Sequence, residues 1–323
     1  MKYFSSITFL LFWVSQLHGQ QLEQYTQFSI NPYLINPAIA GTEDFLHLQA
    51  GYRNQWSGFE GAPETGYLSA HSTLNNRQLS VANKRREQIS RVALGLVLLN
   101  DQTGPLEQSS GMLTFAYNFA LNNQGLRISF GLNGGLKQFS YNPDGFTENL
   151  LDLDDPTLLE LEDRQVLQLA AGFWLYNDHF FLGGSSFQLV NSIVAENTEP
   201  TADFTERLFP RHYYFMGGLK LDLGNEAYFV PAVLLKTLPD AAISFDITSK
   251  IVFADQFWLG ANYRKEDSFG LFGGFLVKDR LEISLSYDFV LSSIRNASAG
   301  SSEIHVGYRI FNQNKVNCPD RFW

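Results

Sequence analysis

Arg280-Leu281-Glu282-Ile283-Ser284-Leu285-Ser286-Tyr287-Asp288-Phe289-Val290 is the stretch that decides the fold. In an extended chain Leu281, Ile283, Leu285, Tyr287 and Phe289 share one face, and Glu282, Ser284, Ser286 and Asp288 share the other. The same split recurs with Ile243, Phe245 and Ile247 against Ser244, Asp246 and Thr248. It recurs again with Ile304, Val306, Tyr308 and Ile310 against His305 and Arg309. A soluble sandwich also alternates, but its strands average about five or six residues, whereas these approach the nine to eleven that cross a bilayer. The alternation therefore reads as one face in lipid and one face in a lumen.

Working outward, clusters of Gly, Asn, Asp and Pro cut the chain into about fourteen strands, an even number as outer-membrane barrels favour. They are expected near 45–53, 65–74, 90–100, 108–121, 125–140, 164–176, 179–189, 211–223, 226–236, 241–253, 256–264, 268–277, 280–290 and 302–311. The fold class predicted is all-β, a transmembrane antiparallel barrel of the outer membrane. With a periplasmic N-terminus, the odd-numbered connections face outside, and these include the long ones at 54–64, 141–163, 190–210 and 291–301. Even-numbered connections are mostly tight, as periplasmic turns are. The exception is 75–89, which holds Lys84, Arg85 and Arg86 and reads as a solvated loop or a contact with a periplasmic partner. Tags near Asp154 or Asn197 are expected to be reachable on intact cells, and one near Gly224 is not.

Lipid rejects charge at its midplane by about 2–4 kcal/mol for Arg or Lys. Arg127, Lys137, Lys220, Asp222, Asp246, Lys250, Glu282, Asp288 and Arg309 are accordingly expected inside, either closing the lumen by mutual pairing or lining a channel.

The N-terminal residues carry Lys2, an apolar run from Ile7 to Val14, and small or polar residues around Gly19. This pattern reads as a secretion signal at 1–19; Ser15, Gln16 and His18 end the run too early for a membrane-spanning helix. Residues 20–44 form an N-terminal periplasmic or lumen segment, 45–311 the barrel and 312–323 a C-terminal tail. The formal net charge of −10 opposes binding to nucleic acid, whose phosphates need a basic surface. With 28 Phe, 14 Tyr and 26 Gly against 3 Met, the chain suits membrane girdles and close β packing, and has few helix-favouring runs. The single cysteine, Cys318, precludes an intrachain disulfide.

No catalytic, metal or cofactor residues are assigned. The histidines at 18, 47, 71, 179, 212 and 305 show no paired zinc spacing, and no G-x-S-x-G elbow, P-loop or dinucleotide fingerprint is present. The acidic run Asp152-Leu153-Asp154-Asp155, with Glu160, Glu162 and Asp163, lacks EF-hand spacing and reads as a solvated loop in preference to a calcium site.

Between the signal and the first strand, Asn31-Pro32 and Asn36-Pro37 exclude a continuous helix and force turns. A segment this aromatic is expected to plug the lumen or pack on the periplasmic rim. Asn31, Pro32, Asn36, Pro37 and Gly41, followed by Tyr52-Arg53-Asn54-Gln55-Trp56 and Gly61-Ala62-Pro63, resemble the signature of the PorP/SprF family of type IX secretion membrane proteins. Arg53, Gln55 and Trp56 stand in its Tyr-Arg-x-Gln-Trp pattern; the tail Cys318-Pro319-Asp320-Arg321-Phe322-Trp323 is similar to family tails, more weakly. The resemblance implies a non-enzymatic outer-membrane protein, partnered by type IX components and outer-membrane lipid. It also implies binding of a large secreted surface protein through that protein's C-terminal domain, for export, gliding or surface retention. Aromatics of the outer loops, Trp56, Phe59, Phe146, Phe204 and Phe209, are the expected contacts. The runner-up is a porin or small-solute transporter, with a surface hydrolase third.

Overall fold

A computed structural model gives the architecture. It describes residues 28–74, 90–122, 125–141, 164–190, 192–193, 210–239 and 242–310. The expected signal, Lys84 to Arg86, the acidic run, Phe146, Phe204, Phe209 and the cysteine-bearing tail lie outside the described residues.

Fourteen antiparallel strands close into a barrel. They are β1 (Leu46–Asn54), β2 (Glu64–Thr73), β3 (Arg91–Thr103), β4 (Leu106–Ala120), β5 (Arg127–Tyr141), β6 (Gln165–Tyr176) and β7 (Phe180–Phe187). Strand β8 runs His212–Leu219 and resumes as Leu221–Gly224 after a break at Lys220. The rest are β9 (Ala227–Thr237), β10 (Ser244–Phe253), β11 (Phe257–Arg264), β12 (Ser268–Val277), β13 (Leu281–Val290) and β14 (Ser301–Ile310). Every strand pairs with its sequence neighbours, and β14 returns to β1 over nine residue pairs from Leu46 opposite Ile310 to Asn54 opposite Ser302. Closure leaves no free edge, the condition for a sheet to sit in hydrocarbon. A two-residue bridge, Ser192–Ile193, adds to β6.

The alternation sorts as expected. Leu113, Leu132, Leu259 and Leu285 are 58–69 % exposed and point outward, while Thr114, Asn133, Asn262 and Ser284 on the same strands are buried. Arg127, Lys137, Asp246, Lys250, Glu282 and Asp288 are buried inside, and Arg309 joins them by an ion pair to Glu282. Lys220 lies with its ammonium 4.1 Å from the Tyr228 ring centre. Asp222 departs from expectation: it pairs opposite buried Tyr228 but lies exposed, because the β8 overhang carries it to the rim.

Turn chemistry sets the tight rim. Asn225-Glu226, Ala254-Asp255 and Lys278-Asp279 all have φ between 50° and 58°, the paired left-handed geometry whose twist matches a two-residue hairpin. The opposite rim carries the long connections, with one correction. Residues 101–107, expected as a connection, instead extend β3 and β4, with Thr103 opposite Leu106 and only Gly104-Pro105 turning. Gln102, Glu107 and Gln108 are polar because β3 and β4, at 13 and 15 residues, outrun the bilayer and continue their ladder beyond it, while Asp101 is buried and accepts from Thr65 Oγ1 at 2.6 Å.

Candidate functional site

A fourteen-strand barrel is too wide for its own side chains to meet across the axis, so something else must fill it if it is to be closed. Residues 28–43 are all buried, and their contacts are with inward-facing wall residues. The two Asn-Pro steps start two short 3-10 turns, Pro32–Leu34 and Pro37–Ile39, where proline at the first turn position needs no N–H partner. Asn36 caps the second by accepting from the Ala38 amide at 3.0 Å.

The wall is shaped to receive these turns. Ala93, Ala116, Gly131 and Gly172 lie directly opposite one another in neighbouring strands, forming a row of small residues across β3 to β6. A Cβ on Gly131 would stand 2.3 Å from the Pro37 carbonyl carbon, and one on Gly172 2.2 Å from Asn36 Oδ1. Gly95, one row away, gives the Tyr33 hydroxyl the same close approach. Polar contacts then fix position. Asn31 donates to Ser69 Oγ at 3.0 Å and Asn36 to the Phe173 carbonyl at 3.0 Å. Ser185 donates to the Ile35 carbonyl, Asn118 to the Ala40 carbonyl, and the Tyr33 hydroxyl meets Thr114. Phe28, Ile30, Leu34, Ile35 and Ile39 are nearly fully buried, each contributing roughly 1.5–3 kcal/mol.

Beyond the segment, charge fills the lumen toward the rim of long connections. Arg53 binds Asp288 at 2.9 Å and Glu303 at 3.4 Å, all three about 1–2 % exposed. Arg264 binds Asp246 at 3.3 Å and Asp267 at 3.0 Å, and Lys236 reaches the same Asp246 oxygen at 3.0 Å. These pairs join β1 to β13 and β14, and β9 to β10 and β11. Near the tight rim, Glu43, His47 and His71 converge, with Glu282 and Arg309 behind them.

Outside this fill lies a platform. The β1–β2 connection is tied to the β13–β14 connection: Ser57 N–H donates to the Gly300 carbonyl at 2.7 Å, Ala299 N–H to the Ser57 carbonyl at 2.8 Å, and the Trp56 amide to Ser301 Oγ at 3.0 Å. The Gly104 amide of the β3–β4 turn donates to the Gly61 carbonyl at 2.9 Å. Gln55 is buried, its backbone N–H donating to the Pro63 carbonyl at 2.9 Å, and Trp56 is held at φ 52°. Phe59, 44 % exposed, stands out from this framework.

Of the signature residues, Asn31, Pro32, Asn36, Pro37 and Gly41 form the lumen segment, and Gly41 at φ +67° packs where a Cβ would strike Ala93. Arg53, Gln55 and Trp56 belong to the outer end of the lumen and its platform. The His47–His71 pairing was missed in the sequence because the residues are 24 positions apart in number and opposite only in the β1–β2 register.

A family model described as type IX secretion system membrane protein PorP/SprF matches residues 17–308. No curated protein sequence matches the chain. Among solved structures, the Acinetobacter baumannii outer membrane protein Omp33 is similar at 8% identity, covering 83% of this chain and 99% of its own, with a TM-score of 0.45. The P. putida toluene transporter TodX is similar at 10% identity over 85% of this chain and 90% of its own, TM-score 0.43. Outer membrane phospholipase A from Escherichia coli follows at 10% identity over 84% and 98%, TM-score 0.37. Identities this low carry no function across.

Proposed function

Since the chain belongs to the PorP/SprF family of type IX secretion membrane proteins and folds as an outer-membrane barrel, we propose that it is a sealed, non-enzymatic anchor. Its outer connections bind the C-terminal domain of a large secreted surface protein and hold or help export it. The single observation that carries this reading is the lumen: residues 28–43 and the buried ion pairs occupy the space a porin keeps for solute. A filled barrel has only its rims to work with. The rim of long connections offers a hydrogen-bonded platform on which Trp56 and Phe59 are positioned in advance, and pre-ordered aromatics make effective contact anchors. Phe146, Phe204 and Phe209, which the sequence assigns to other outer connections, are proposed as further contacts. Lipid covers the apolar belt, and the other components of type IX secretion are the natural partners at the periplasmic side.

The test is retention of a type IX surface protein's isolated C-terminal domain by the purified barrel. Trp56→Ala with Phe59→Ala is expected to weaken retention by about 30-fold or more, the effect of losing a contact hot spot of about 2 kcal/mol. Undiminished retention by the folded double variant, or unchanged surface display in cells lacking the protein, contradicts the proposal.

A further inference from the structure

We infer that Glu43, His47 and His71 form a binding site for a divalent transition metal of the zinc class, which clips the lumen segment to the barrel wall. One ligand atom from each lies within 4.8 Å of the other two, and all three side chains are buried. His47 and His71 face each other across β1 and β2, so the strand register fixes two imidazoles side by side. Glu43 comes from the end of the lumen segment, with Oε2 already 3.0 Å from His47 Nδ1.

Two imidazoles and a carboxylate are a common zinc donor set, and tetrahedral ligation at about 2.0–2.2 Å needs donor atoms roughly 3.4 Å apart. The Glu43–His47 pair, at 3.0 Å, lies within about 0.4 Å of that spacing, and side-chain rotation would bring the His71 ring, whose ligand atom is within 4.8 Å, to it. The surroundings point the same way. With His47 Nδ1 toward the metal, its Nε2–H faces Glu282 Oε2 at 3.8 Å, too long for a hydrogen bond but a few tenths of an ångström from the carboxylate–histidine–metal relay that orients a ligand and raises its basicity. Arg309 donates to the same Glu282 oxygen at 3.3 Å and holds that carboxylate in place. Two contacts yield on binding: the Glu43–His47 hydrogen bond, whose proton the metal replaces, and the Gly41 amide to His71 Nδ1, which at 3.4 Å is already long.

The site joins an element outside the strands to the two strands beside the barrel seam. Occupancy therefore strengthens the hold of the lumen segment, a role separate from partner binding on the outer platform.

The experiment uses the mature chain folded in detergent, stripped with chelator and titrated with Zn2+ alone. We expect one Zn2+ per chain, a rise in unfolding temperature, and slower proteolysis of the N-terminal segment. His71→Asn and Glu43→Gln should each weaken binding by more than about 100-fold, and Glu282→Gln, an outer-sphere change, by about 10-fold. His212→Asn, away from the site, should leave it unchanged. Glu43 lies outside the strands, so its variant keeps the test open should a strand histidine variant fail to fold. Absence of stoichiometric binding to the wild-type protein overturns the inference, as does binding undiminished in a folded His71→Asn or Glu43→Gln protein.

Discussion

Arg53→Met is the sharpest perturbation of the lumen. Arg53 is 2 % exposed and is shared by two carboxylates, Asp288 and Glu303, that are themselves about 1 % exposed. Methionine keeps the length and the apolar stem but leaves both acids without this cation. Arg264 sits close enough to Asp288 to offset part of the loss there. Removing one partner of a buried ion pair costs about 3–5 kcal/mol, because the opposite charge stays behind in a site built around the pair, and with the loss at Asp288 partly offset the expected cost is about 3 kcal/mol. The assay is denaturant unfolding of the protein in lipid vesicles at pH 7, followed by tryptophan fluorescence. Adding Asp288→Asn and Glu303→Gln to Arg53→Met, which removes the two carboxylate charges, should restore most of the loss. A deficit below about 1 kcal/mol would refute the reasoning.

Gly131→Val places a Cβ 2.3 Å from the Pro37 backbone, which no rotamer relieves, so the lumen segment should be displaced; faster protease cleavage between residues 28 and 44 is the expected readout, and wild-type protection counts against it. Leu132→Arg, on the outward face at 60 % exposure, should cost about 2–4 kcal/mol of stability in bilayers, measured by unfolding in vesicles; a cost near zero would mean that this face does not meet lipid. Ala254→Gly should stabilise the barrel by about 1 kcal/mol in the same assay, since alanine at φ 50° carries a left-handed penalty that glycine escapes.

The strands were legible because lipid on one side and a polar lumen on the other impose a strict period of two. Leu281 to Phe289 reads in sequence as it stands in space, and Ser268–Val277 is bounded as expected. Loop lengths carried the topology for a similar reason: tight turns at Asn225-Glu226 and Lys278-Asp279 need left-handed residues, and Asn and Asp mark them. The β3–β4 hairpin misled because its polar ends look like a loop when they are strands in water. The binding of the lumen segment was half legible. Asn31-Pro32 and Asn36-Pro37 announced turns, but the cradle depends on Ala93, Ala116, Gly131 and Gly172 coming into one row, and only the register of four strands aligns them. Arg53 with Asp288 and Glu303, and His47 with His71, are hidden by the same cause. Closure brings β1 against β14, and no local pattern records which charge meets which.

Single-channel recording in planar bilayers tests most directly the claim that this barrel is filled by its own N-terminal segment. The wild-type protein should stay electrically silent, with steps appearing only when Gly131→Val or removal of residues 28–43 clears the lumen. Large, steady currents from the intact wild-type protein would contradict the account.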